Sequence, residues 1–172
     1  MSEAVMDEFE TLYRQHAAAV LRFAWGLTGD RSAAQDILSE TFVRVLVKAP
    51  RIETRTALAY LLAVARNVHL NGRRRERRRA PLTEDLPAPE RDLDGRLDDG
   101  ARLDAVQSAL RELPEGERAA LLLRVDHELS YEDVAAALGT TAGAAKVRVH
   151  RARLHLAEIL SGRQANNPGA ES

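Results

Sequence analysis

Residues 130–153 read Ser130-Tyr131-Glu132-Asp133-Val134-Ala135-Ala136-Ala137-Leu138-Gly139-Thr140-Thr141-Ala142-Gly143-Ala144-Ala145-Lys146-Val147-Arg148-Val149-His150-Arg151-Ala152-Arg153. Ser130 can cap a helix, with Asp133 three residues on as an acidic variant of the capping box. The short helix that follows puts Val134 and Leu138 on one face, with Ala135 beside them. Ala135 is small where two helices must approach closely. Gly139 supplies the left-handed turn that stops the helix. Thr140 or Thr141 can cap a second helix, which carries Lys146, Arg148, Arg151 and Arg153. A short helix, a glycine turn and a basic helix make a helix-turn-helix, whose second helix enters the DNA major groove. A plain helical hairpin would explain the charges, but not their clustering on the second helix alone.

The run Leu129-Ser130-Tyr131-Glu132-Asp133-Val134-Ala135, with Leu138-Gly139 and Arg151-Ala152-Arg153, resembles region 4 of bacterial RNA polymerase sigma factors. The chain length is similar to that of the extracytoplasmic-function (ECF) group of the sigma-70 family. The family usually has a Thr-Val pair where this chain has Ala144-Ala145, and a small polar residue where it has Val147. Those departures leave the fold intact and bear on which promoter sequence is read. The resemblance implies that the basic helix reads the −35 element. Lys146, Arg148, His150 and Arg151 lie in its N-terminal half, where groove contacts concentrate. Thr140, Thr141 and Arg153 are better placed for phosphates.

Upstream, Leu103, Val106, Leu110 and Leu113 mark a helix ended by Pro114, and Glu115 to about His127 forms the next. Leu110-Arg111-Glu112-Leu113-Pro114 and Arg118 are also similar to the family's region 4. In the first half, Phe9, Leu12, Tyr13, Ala17, Val20 and Ala24 recur at three and four, the stripe of a helix over residues 5–26 that Gly26 and Gly29 end. Trp25 and Phe23, near that end, are expected in the core. Asp30 or Ser32 starts a second helix running to about Lys48, with Ile37, Leu38, Thr41, Phe42, Val45 and Leu46 as its apolar face. Its segment Asp36 to Val45 resembles sigma region 2.2, which docks on the β′ coiled coil of core polymerase. Carried over, this implies that Asp36, Ser39, Glu40 and Arg44 face the enzyme.

A polar loop, Arg51-Ile52-Glu53-Thr54-Arg55, precedes a long helix capped by Thr54 or Thr56. Leu58, Leu61, Leu62 and Ala65 pack that helix, with Val64 and Val68 on flanking positions. Tyr60-Leu61-Leu62-Ala63-Val64-Ala65-Arg66-Asn67 resembles regions 2.3–2.4, where Trp-Leu is commoner than Tyr-Leu. The resemblance implies a −10 interface of Arg51, Thr54, Arg55, Tyr60, Arg66, Asn67, Arg73 and Arg74. Holding a single strand needs an aromatic face for bases beside cations for phosphates. Tyr60 is the one aromatic available there, which points to a demand for a well-matched promoter. The helix runs into Arg73-Arg74-Arg75-Glu76-Arg77-Arg78-Arg79, six arginines in seven residues. Each guanidinium can chelate two phosphate oxygens.

The totals agree with this reading. The chain has 172 residues, 45% hydrophobic and 30% charged, enough for two small folded domains. Aromatics are only 4%, and Ala, Leu and Arg dominate, which favours helix over sheet. The absence of cysteine excludes disulfides and Cys-based zinc sites and fits a reducing cytosol. No signal peptide and no apolar run of bilayer-spanning length is read. The net charge of −1 conceals segregation: residues 1–79 hold 14 Lys+Arg against 9 Asp+Glu, and residues 80–100 hold 2 against 7. Prolines, glycines and acids make 80–100 a linker. His150, His155 and Glu158 do not converge as a metal site, because His150 lies on a different face from the other two. Nothing places a nucleophile beside a base.

The expected protein is therefore all-α: a domain over 1–79, an acidic linker over 80–100, a helix-turn-helix domain over 101–162 and a flexible tail over 163–172. The resemblance implies a non-enzymatic, cytoplasmic sigma factor without cofactors. Its implied partners are core RNA polymerase, through the β′ coiled coil and the β flap, and promoter DNA. An anti-sigma factor is a further partner the family allows. No small-molecule substrate and no membrane insertion are expected. The competing readings are a stand-alone helix-turn-helix repressor or activator, and an adaptor that binds polymerase without contacting DNA.

Overall fold

A computed structural model describes residues 2–48, 57–79 and 99–166. The described residues form helices and turns and contain no strand, as the all-α expectation requires. The chain divides between Arg91 and Asp92 into two compact units. The loop carrying Arg51, Thr54 and Arg55, and linker residues 80–98, lie outside the described residues.

The first unit is a three-helix bundle of α1 (Glu3–Thr28), α2 (Arg31–Lys48) and α3 (Ala57–Arg79), each packing on the other two. Its core is built from Val20, Phe23, Ala24 and Leu27 of α1, Ile37, Phe42 and Val45 of α2, and Leu61, Leu62 and Ala65 of α3. Phe9 and Tyr13 meet the Phe42 ring edge-on at centroid distances of 6.0 and 4.8 Å. Gly26 does not end α1, contrary to expectation; it is buried inside the helix. A mid-helix glycine costs about 1 kcal/mol, and the stripe through Phe23, Ala24 and Leu27 outweighs that. Gly29 is the stop, at φ 66°, where its N–H donates to the Trp25 carbonyl at 2.7 Å. The turn is closed by side chains. Thr28 Oγ1 donates to the Ala24 carbonyl, and Asp30 Oδ1 accepts from the Ser32 N–H at 2.9 Å to cap α2.

The second unit comprises α4 (Asp99–Glu112), α5 (Glu115–Leu121), α6 (Tyr131–Leu138) and α7 (Ala142–Ala165). The long helix α7 packs on the other three. Three expectations change here. Gly100, assigned to the linker, lies in the first turn of α4, where backbone N–H groups lack intrahelical partners and glycine is cheap. The α4 stripe is buried only in its C-terminal half. Leu110 and Leu113 are inside, whereas Leu103 and Val106 are exposed. Spacing shows which residues share a face, not whether another element covers it. Finally, α7 continues past Gly162. Arg163 donates to the Ala105 carbonyl at 3.2 Å and pairs with Glu112 at 2.7 Å, which ties down the start of the expected tail.

Candidate nucleic-acid interface

The turn between α6 and α7 is fixed by its own residues. Ser130 Oγ accepts from the Asp133 N–H at 3.1 Å and starts α6. Gly139, at φ 65°, ends it. The Gly139 N–H reaches the Ala136 carbonyl, and the Thr140 N–H reaches the Ala135 carbonyl at 3.0 Å, the paired bonds of a Schellman stop. Of the two candidate caps for α7, Thr141 serves: its Oγ1 accepts from the Ala144 N–H at 3.2 Å. Ala135 of α6 is buried, as are Ala145, Val149 and Ala152 of α7. α6 and α7 pack on each other, and small buried side chains on helices permit close approach.

The rest of the unit holds this pair in place. Arg118 is buried in α5, and its guanidinium donates to the carbonyls of Leu110, Arg111 and Leu113 at 2.7, 2.9 and 2.9 Å. It thereby caps the C-terminus of α4, where the macrodipole favours a cation. The last turn of α5 widens into a π-helical turn over Leu122–Asp126, closed by the His127 N–H on the Leu122 carbonyl at 3.2 Å. Arg124 lies 4.2 Å from the centre of the Tyr131 ring and donates to the Leu129 carbonyl at 2.8 Å. His155 Nδ1 of α7 meets Glu117 Oε2 of α5 at 2.6 Å, so His155 links two helices from an exposed position, whereas no such link is seen among the described residues for the exposed His150.

With Ala145, Val149 and Ala152 turned inward, helical geometry puts Gly143, Val147, His150 and Leu154 on the opposite, exposed face of α7, with Arg151 at one edge of it. Lys146 and Arg153 flank that face on the other side, and all three cations are exposed. Thr141 is exposed at the helix start, and Thr140 is half-buried. Arg148 stands apart. It is half-buried, and its guanidinium lies over Gly116 of α5, 3.6 Å from where a β-carbon there would sit. The outward cations thus surround an apolar strip, a feature that charge counting missed.

In the first unit, α3 is continuous from Ala57 to Arg79. Tyr60, Asn67 and Arg74 recur at intervals of seven and share one stripe; Arg66 and Arg73 share another. Tyr60, Arg66 and Arg73 are half-buried, and Asn67 and Arg74 are exposed. The six terminal arginines encircle the last two turns, where the macrodipole also favours positive charge. On α2, Asp36, Ser39 and Glu40 are exposed, and the half-buried Arg44 donates to Glu40 at 2.9 Å. Val43 and Val47 are exposed on the same helix.

Two family models match the chain: Sigma-70 region 2 over residues 12–79 and Sigma-70, region 4 over residues 103–156. The ECF RNA polymerase sigma factor SigE of Mycolicibacterium smegmatis is 37% identical over 169 residues, an alignment covering 92% of this chain and 64% of that protein. The RNA polymerase sigma-E factor of Streptomyces antibioticus is 33% identical, with 95% of this chain and 90% of that protein covered. The sigma factor RpoE of Bartonella quintana, solved in complex with the anti-sigma factor NepR, superposes with a TM-score of 0.72 at 28% identity, covering 90% of this chain and 97% of that one.

Proposed function

The chain belongs to the sigma-70 family, in its ECF group of RNA polymerase sigma factors, and from that premise we propose that it binds core polymerase and directs it to promoters. One observation carries the reading: a region 2 block and a region 4 block lie in family order in one chain. A stand-alone repressor needs only the second.

The division of labour follows from the chemistry of the two units. The outward face of α7 reads the −35 element, with Lys146, His150 and Arg151 toward base edges and Thr140, Thr141 and Arg153 toward phosphates. Arg148, held over α5, supports the helix-turn-helix rather than base reading. The Tyr60–Asn67–Arg74 stripe receives the −10 strand as it opens. Tyr60 offers a stacking surface, and Arg66 and Arg73 take the backbone from the adjoining stripe. Arg51, Thr54 and Arg55 belong to the same interface. The terminal arginines add affinity that does not depend on sequence. Asp36, Ser39, Glu40 and Arg44 dock on the β′ coiled coil, and the second unit meets the β flap.

Bond formation belongs to the polymerase, and this chain lends it specificity without being an enzyme itself. It works where transcription occurs, in the cytoplasm. An anti-sigma factor is a further partner, on the pattern of the Bartonella quintana relative. The decisive test is run-off transcription from a mixed promoter library by bacterial core polymerase, with and without the protein. Specific transcripts are expected only with it. Failure of the protein to associate with core enzyme would sink the sigma reading.

A further inference from the structure

Val147 is an apolar side chain, 48% exposed, in the middle of a cationic surface. It lies in the second turn of α7, with His150 and Arg151 within one turn beyond it and Lys146 beside it, all exposed. Folding does not require it: the helix buries Ala145, Val149 and Ala152 instead. One turn earlier on the same face is Gly143, exposed and with a negative φ. A β-carbon there would meet nothing within 4 Å. The fold therefore demands neither the missing side chain at 143 nor the apolar one at 147. Both make sense when another surface comes close. Without a side chain at 143 the first turn can sit deep in a groove, and the next turn then brings Val147 to the base edges.

In the major groove a base pair presents hydrogen-bond donors, acceptors and one apolar group, the thymine C5-methyl. Valine can neither donate nor accept. We propose that Val147 is a specificity-determining residue that selects a thymine in the −35 element by packing against its C5-methyl, with Gly143 permitting the close approach. This rests on the reading of α7 as the −35 helix. It adds a base preference that the cations do not supply, since arginine and lysine favour guanine.

Core polymerase carrying the parent or the Val147→Ser chain would be used to enrich duplexes from a pool randomised across the −35 region. Each thymine of the parent consensus would then be replaced by uracil, which lacks only the methyl. We expect one thymine position in the parent consensus that Val147→Ser no longer selects. At that position uracil should weaken parent binding about fourfold, the value of one buried methyl, and leave Val147→Ser binding unchanged. Thermal unfolding of the variant should match the parent. The proposal is overturned if uracil is tolerated at every thymine of the parent consensus. It is equally overturned if Val147→Ser weakens all duplexes alike through poorer association with core enzyme, which would make Val147 a protein contact. If the parent enriches no sequence at all, the sigma reading falls and this proposal with it.

Discussion

Two helices carry the cationic surfaces of this protein, and they are built differently. The end of α3 is nearly all charge, six arginines around its whole circumference. The outward face of α7 mixes Lys146, His150 and Arg151 with Gly143, Val147 and Leu154, and is anchored by a Thr141 cap and a buried alanine seam. A helix charged on every side attracts phosphates from any direction and has no preferred rotation against DNA. A helix with one buried face and one patterned face can present a given side chain to a given base. On the proposed function, the contrast separates affinity from discrimination.

The sharpest way to break it is to remove the support of α7 without touching the proposed DNA-facing residues. Arg118→Met keeps the aliphatic stem and leaves three carbonyls at the end of α4 without their donor. The cost to the second unit should be about 3 kcal/mol or more. Thermal unfolding should show an earlier transition, and −35 discrimination should vanish while sequence-independent DNA binding through α3 persists. Next in size, replacing Arg73, Arg74 and Arg77 by Gln should weaken binding to all promoters alike, on the order of a hundredfold near 0.1 M salt. The slope of log K against log salt should fall by up to ~0.9 per lost contact. An unaltered slope would show that the arginines touch no phosphate.

Arg151→Ala should behave in the opposite way. It should cost ~1–3 kcal/mol at the cognate site and relax one base position. A uniform loss across sequences would move Arg151 to the phosphate-binding class. Glu40→Lys tests a face of α2 that belongs to neither basic helix. Its melting temperature should barely move, because exposed substitutions change stability by less than ~0.5 kcal/mol. Association with core enzyme should still weaken several-fold through like-charge repulsion, and equal competition with the parent would mean the docking face lies elsewhere. The smallest effect concerns His16 of α1, whose partial burial pulls its pKa below the ordinary 6.5. The unfolded chain then binds the proton more readily, so the first unit has its full stability above pH 6.5 and loses some as the pH falls toward the folded-state value. The parent should melt at a lower temperature at pH 5.5 than at pH 7, and His16→Gln should flatten that difference.

What the sequence disclosed was mostly local. Ser130, Gly139 and Thr141 act within three or four residues of themselves, so their roles follow from turn and cap chemistry. The apolar stripe of α2 was legible for the same reason: Ile37, Thr41, Phe42 and Val45 are buried, and Leu38 and Leu46 are half-buried. The supports of the site were less accessible. The pairing of Glu117 with His155 and of Glu112 with Arg163 joins residues far apart in the chain, and no periodicity announces it. Arg118 drew notice through a motif, but its capping of α4 depends on how two helices meet. Val147 could be seen as a departure from the family's pattern, whereas Gly143 drew no notice. Their exposure on one face emerged only once Ala145, Val149 and Ala152 were known to point inward.

Arg163 sits at the far end of the helix that carries the proposed base-reading face. From Gly143 to Arg163 is about 30 Å at 1.5 Å per residue. Over that length, a tilt of roughly one degree at the Arg163 end sweeps the other end by about half an ångström, a sizeable fraction of the tolerance of a hydrogen bond. On the proposed reading, the bonds from Arg163 to Ala105 and Glu112 act as the rear bearing of a long pointer, setting the aim of residues they never touch. Loosening that bearing would leave every contact at the tip chemically possible and none of them well registered. Promoters would blur together, and no single base preference would be lost.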